Sequence, residues 1–482
     1  MTREIAQDDK RNYRIEQMGK FLLYNATVVT GKKESVGAVA VSGERIESVF
    51  FPDNEGNVGY RGQSIGFHSL PEMFDGEIID LTGLHLFAGG IDAHVHFREP
   101  GMTHKADISS ESLAAAAGGV TSFMDMPNTR PATVSIQELD EKLSLASGRS
   151  HVNYGFHLGA TNDNIGIIGK AIAENPGSFG GVKVFMGSST GNMLVDNPDT
   201  LTSLFSITDK PVLVHAEDEA IIKANTEAAR NEYGEDIPFS EHCRIRSRQA
   251  CIKSSVKALE YAMEHGTRLH LLHISTKEEV EMIRAAKAIN PKITAETSAN
   301  YLWFSDMDYE RLGSHVKCNP SVKTAEDRSA LREALRNGII DTIGSDHAPH
   351  LLSEKEGKYL SVPSGMPSIQ QSFPALLTIA SREEIPLTKV ASAFSERPAE
   401  IFNVRERGFL KAGYYADLVV ADLHTRTEVQ KDDLLYRCGW SPYEGETFTA
   451  AVHYVFVNGH KVIDKGKPVA GEETAGKMIT FA

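Results

Sequence analysis

Residues 84–93 form an apolar run, Leu-His-Leu-Phe-Ala-Gly-Gly-Ile-Asp-Ala, that ends in His94-Val-His96. In a strand, side chains i and i+2 share a face, so His94 and His96 can reach one metal ion together while Val95 points away. Arg98 lies two further along that face, a fixed cation suited to an anionic substrate. A single His-x-His is a weak motif. Its weight depends on whether other strands end in ligands too.

They do. Lys210-Pro-Val-Leu-Val-His215 and Arg268-Leu-His-Leu-Leu-His273 are short apolar runs ending in histidine, and Asp341-Thr-Ile-Gly-Ser-Asp346 ends in aspartate. Between His96 and His215, Gly-Gly-Val-Lys183-Val-Phe-Met-Gly carries one lysine inside an apolar strand. The intervening segments are long enough for helices. Asp107-Ile-Ser109-Ser110-Glu111, an alanine run and Gly118-Gly119 read as a capped helix with a glycine stop. Alternating strands and helices give a parallel sheet, and polar residues at successive carboxyl ends are what a (β/α)8 barrel uses as its active site. Strands are expected at 84–92, 119–126, 151–158, 179–186, 210–215, 268–274, 292–297 and 340–346. By the same alternation His270 faces away from His273 and reads as a packing or surface residue, and His347 points away from Asp346.

A chain of 482 residues exceeds one ordinary core, and its ends differ from its middle. Residues 20–50 hold short β-type runs, and Asn458-Gly459 between two apolar runs is a hairpin signal. Residues 20–83 and 408–482 are therefore expected to build one small β-sandwich, with the barrel inserted over 84–407. Residues 1–19, with no apolar core for secretion, read as a leader, disordered or tag-derived. The charged stretch 351–360 reads as a solvated loop.

A formal charge of −15 disfavours nucleic acid, no stretch reaches the ~20 apolar residues of a membrane span, and four unpaired-looking cysteines suit a reducing cytoplasm. A small anion is still admissible, because it feels the local field of metals and Arg98. Four histidines, an aspartate and a lysine exceed the needs of one tetrahedral zinc and suit two metals sharing a bridge. An ammonium cannot be that bridge, being disfavoured by desolvation and by repulsion. As its N-carbamate, Lys183 would offer one oxygen to each metal.

His94-Val-His96-Phe-Arg98-Glu-Pro-Gly, Met126-Pro-Asn128-Thr, Cys318-Asn319-Pro320 and Ser345-Asp346-His347-Ala-Pro-His350 together resemble the dihydroorotase family of the amidohydrolase superfamily. The resemblance runs in motif order from about residue 20 to the end. It implies a (β/α)8 barrel with a β-sandwich, and two zinc ions per subunit bridged by N6-carboxylated Lys183 and a hydroxide. His94 and His96 would hold the first metal with Asp346, the general base and acid, and His215 and His273 the second. Arg98, Asn128 and His350 would hold a substrate carboxylate, Asn319 the ring, and Ser364 and Gly365 further contacts. The implied reaction is reversible hydrolysis of a cyclic amide, dihydroorotate to carbamoyl-aspartate, by a cytoplasmic homodimer or higher homo-oligomer. Allantoinases and hydantoinases share barrel, metals and chemistry, but Arg98 has nothing to pair with in a neutral hydantoin. An inactive scaffold of the same family would be expected to have lost ligands, and all six are present.

Overall fold

The computed structural model describes residues 19–187, 193–207, 209–469 and 474–482, so the expected leader, apart from Gly19, lies outside the described residues. Eight strands form a parallel barrel: β1 Gly90–Val95, β2 Val120–Asp125, β3 Asn153–Phe156, β4 Val182–Phe185, β5 Val212–His215, β6 Leu269–Leu271, β7 Thr294–Thr297 and β8 Thr342–Ile343. Pairing runs from β1 through β3 and from β4 through β8. Between β3 and β4 the chain turns at His157, and Leu158–Gly159 pair with Val182 and Lys183. The ring closes where His96 N donates to His347 O at 2.8 Å, beside a Val95–His347 bridge.

The strands read as continuous apolar runs because both faces are covered. Outside lie the helices, among them Ile108–Ala117, whose Asp107 cap accepts from Ser110 N and which stops at Gly118 as expected. Inside, Ile91, Ala93, Met124, Leu213 and Leu272 pack against Phe402, Ile479 and Phe481. The chain terminus thus seals the amino-terminal end of the barrel, with Phe481 N donating to Gly177 O ahead of β4.

The expected first strand, 84–92, divides. His85–Ala88 pairs with Lys20–Val29 and with Leu418–Asp422 in a nine-stranded sheet built from both termini. The break falls at Gly89-Gly90, where a Cβ on Gly90 would lie 2.2 Å from the Phe394 ring. The sheet coils until Phe21 stacks on Phe456 with ring centres 5.0 Å apart, and Leu23, Val28, Val41, Leu86 and Val420 fill its inner face. Asn458 and Gly459, at φ 50° and 78°, form the two-residue turn of its last long hairpin. Other carboxyl-terminal residues lie on the barrel instead: Trp440 Nε1 donates to His350 O and Tyr443 OH to Asn300 Oδ1.

One buried ion pair positions the tip of β1. Lys142, on the helix Ile136–Ala146, pairs with Asp125 at the end of β2, both side chains at most 1% exposed. Asp125 Oδ1 accepts from Phe97 N at 2.7 Å, and so fixes the backbone between His96 and Arg98. Lys142→Met keeps the volume but strands the carboxylate, and should cost about 3–5 kcal/mol of unfolding free energy. Urea unfolding measures this, and a loss under about 1 kcal/mol would mean that Asp125 needs no buried partner.

Candidate active site

All twelve residues expected at the site line one cavity at the carboxyl ends of the strands, joined by Phe185, Cys318 and Ala348. Its floor has two groups of ligand-type atoms. His94 Nε2 and His96 Nε2 lie 3.3 and 3.2 Å from Asp346 Oδ1. His215 Nδ1 lies 2.8 Å from His273 Nε2, and the rings of His273 and His94 are 5.3 Å apart. Lys183, 1% exposed, stands among them, and its charge opposes protonation of His94, His215 and His273 alike.

Partners behind each ring fix which nitrogen faces the cavity. His94 Nδ1 donates to Glu296 Oε1 at 2.6 Å and His96 Nδ1 to Asn128 Oδ1 at 2.8 Å, leaving both Nε2 lone pairs aimed at the Asp346 carboxylate. His215 Nε2 donates to Glu217 Oε2 at 3.0 Å, and Glu217 is held by Arg246, so the lone pair of His215 is on Nδ1. His273 Nδ1 is buried without a partner among the described residues. Burial drives His94 and His273 well below the ordinary imidazole range. Lone pairs facing lone pairs need a cation between them, so the donor set fits metal ions: His94, His96 and Asp346 place three ligand atoms within 4.8 Å of one another.

Three site residues lie outside ordinary backbone conformations: Arg98, His273 and Asp346 have φ of 64°, 39° and 48°. Such positions cost about 1–3 kcal/mol each and persist where the surroundings enforce them. At His273 the turn also changes the alternation expected from sequence. The strand ends at Leu271, and His270 points into the barrel, where its Nδ1 lies 2.8 Å from Thr294 Oγ1. His347 does turn away from the cavity, with Nε2 on Glu111 Oε2 at 2.5 Å.

Above the floor, Arg98 is 6% exposed, and its Nε donates to Pro349 O at 3.0 Å. Its Nη2 is 3.2 Å from His350 Nε2. Asn128 uses its oxygen on His96. Asn319 Oδ1 is buried with no partner. Gly365 has φ 143°, and a Cβ there would lie 2.5 Å from Ala348 O and 2.9 Å from the His350 ring, so no side chain fits.

The expectation of a solvated loop over 351–360 holds for Ser353, Glu356, Gly357 and Lys358, which are exposed, but not for the residues that anchor it. Lys355, Tyr359 and Val362 are at most 5% exposed. Lys317 Nζ donates to Tyr359 O and Val362 O, both at 2.6 Å, and Lys355 Nζ donates to Pro363 O and Gly365 O. Two buried ammonium groups thus clamp the loop that carries Ser364 and Gly365.

The sequence reading missed Glu296 and Glu217. Both left a signal: Glu296 is the one charged residue of the short strand Thr294–Thr297, and Glu217 follows His215 by one strand repeat. Gly344 makes room for the first, since a Cβ there would lie 2.6 Å from the Glu296 carboxylate.

A model of the amidohydrolase family matches residues 85–462. Among curated relatives, a dihydroorotase of Methanosarcina mazei is 36% identical over 379 residues, covering 76% of this chain and 81% of that protein. An allantoinase of Desulfitobacterium hafniense is 33% identical over 408 residues, covering 82% and 88%. Among solved structures, the L-hydantoinase (dihydropyrimidinase) of Arthrobacter aurescens superposes with a TM-score of 0.85 at 26% identity, covering 96% and 100%. The chain belongs to the amidohydrolase family, and it is a cyclic amidohydrolase by kinship with all three. No helix among the described residues is long and apolar enough to cross a membrane.

Glu296 gives the first test of the floor. Glu296→Ala removes the acceptor behind His94 and should weaken metal binding about 10–100-fold. Competition with a chelator measures it; unchanged affinity would show that Glu296 serves only packing.

Proposed function

We propose that the chain is a dihydroorotase, opening the ring amide of (S)-dihydroorotate to N-carbamoyl-L-aspartate and closing it in the reverse, biosynthetic direction, the third step of de novo pyrimidine synthesis. One observation carries the choice of an anionic substrate. Arg98 is a buried guanidinium with no carboxylate within ion-pair distance among the described residues. A buried charge without a counter-charge is costly, and a substrate carboxylate would supply one. The names of several curated relatives support the same reading.

His94, His96 and Asp346 would hold one zinc, His215 and His273 a second, and a carboxylated Lys183 would bridge them. Burial lowers the Lys183 amine to about 7, so the neutral form that adds carbon dioxide is well populated near neutrality. A metal pair bound there supplies Lewis-acid polarisation of the scissile carbonyl and a water of lowered pKa. Asp346 takes the proton of the attacking water and delivers it to the departing ring nitrogen. Arg98, Asn128 and His350 hold the substrate carboxylate, and Asn319 faces the ring.

The test is metal analysis of the purified protein with turnover measured on dihydroorotate, allantoin and hydantoin. Arg98→Met should reduce kcat/KM on dihydroorotate at least about tenfold and spare any activity on neutral hydantoins. Equal losses on both would make Arg98 structural, and turnover of allantoin alone would favour the allantoinase relatives. Lys183→Ala should lose metal and activity, with partial rescue by short carboxylic acids; full activity without them would remove Lys183 from the bridge.

A further inference from the structure

Lys105 is a cation at the site that the proposed chemistry does not use. Its Nζ lies 3.1 Å from His350 Nδ1 and 2.7 Å from Glu354 Oε1, with the side chain 14% exposed. The other nitrogen of His350, Nε2, lies 3.1 Å from Ser364 O and 3.2 Å from Arg98 Nη2. An ammonium has three hydrogens and no lone pair, so the Nδ1 that faces it must be the nitrogen without a proton.

Burial, and then the cations Arg98, Lys105 and Lys355, hold the His350 imidazole below its ordinary range. Glu354, 3.8 Å from Nδ1, is the carboxylate on the same side as Lys105, and it is engaged by Lys105 and by Leu351 N. A neutral ring has one proton, which therefore sits on Nε2 and is donated to Ser364 O. Arg98 Nη2 then meets an N–H rather than a lone pair. That N–H has its acceptor in Ser364 O, so the ring offers Arg98 Nη2 none and the guanidinium stays available to another acceptor.

We propose that Lys105 is a positioning residue that locks His350 in its Nε2–H tautomer, so that the ring N–H is held by Ser364 O and Arg98 Nη2 stays free of the ring for the substrate carboxylate. Without Lys105, the ring can carry its proton on Nδ1. Nε2 then accepts from Arg98, and that guanidinium hydrogen is lost to the substrate. The inference rests on the anionic substrate read above, but the tautomer does not.

The experiment compares wild type, Lys105→Met and Lys105→Arg in the metal-loaded enzyme. The His350 tautomer is read by NMR of labelled histidine nitrogens, with His350→Gln assigning the signal. Wild type should show Nε2–H. Lys105→Met should move His350 towards Nδ1–H and raise KM for dihydroorotate about tenfold, with kcat changed by less than about threefold. Lys105→Arg, also without a lone pair, should restore both. Turnover of a neutral hydantoin should not respond to either variant. An unchanged tautomer in Lys105→Met would overturn the lock, and so would equal losses in kcat and KM that Arg fails to rescue. A wild type that ignores dihydroorotate but shows a Lys105-dependent tautomer would count against the substrate reading and leave the lock standing.

Discussion

Four imidazoles, a carboxylate and an amine are held at one point in the barrel mouth, where they repel or desolvate one another. Every other feature of the site follows from that constraint. Among the described residues each imidazole except His273 has an acceptor behind it, buried Glu296 for His94, half-buried Asn128 for His96 and buried Glu217 for His215, so that its lone pair can only face the cavity. Glu217 is in turn held by Arg246. A protein that assembled these groups without an ion to take the lone pairs would lose stability for no return, which is why the donor geometry speaks for metal even from the side chains alone.

The constraint extends to the backbone. Regular strands would carry Arg98, His273 and Asp346 past the site, whereas left-handed residues at all three turn their side chains back across it. Strain of this kind is tolerable only on a rigid frame. The frame here is a barrel packed inside by Phe402 and Phe481, closed by the Val95–His347 bridge, and tied at β1 by the Asp125–Lys142 pair. The sheet from the two termini completes it, since one passage through Gly89-Gly90 connects that sheet to β1.

Charge is distributed in the opposite sense to the chain as a whole. The protein is acidic, but Arg98 lines its cavity, and Lys105, Lys317 and Lys355 stand behind the wall on His350 and the loop carrying Ser364 and Gly365. Lys317 and Lys355 are committed to backbone carbonyls of that loop, and Lys105 to Glu354 and His350. Arg98 alone among them has no such full set of acceptors, and so remains the cation available to an anion.

The alternation of apolar runs with helical segments determined the barrel, because only a parallel sheet covered on both faces makes use of such runs. The polar residue at the end of each run determined the floor of the site, since strand ends in a barrel converge. His94, His96, Lys183, His215, His273 and Asp346 were legible for that reason. Motif resemblance added the wall, with Arg98, Asn128 and His350. What the tertiary structure decided was everything carried by contacts distant in sequence. His85–Ala88 left the barrel for the terminal sheet because its partners lie at residues 27–28 and 418–421. His270 faces inward with Leu272, two residues on, and it is His273 that the early end of the strand and its left-handed bend turn back to the cavity. The loop after residue 350 is anchored because Lys317 and Lys355 reach its carbonyls, and a charged composition gives no sign of that. Glu296 meets His94 across 202 residues, and Lys105 meets His350 across 245. Local pattern fixes which residues a strand delivers. Which partner stands behind each of them depends on distances that exist only once the barrel has closed.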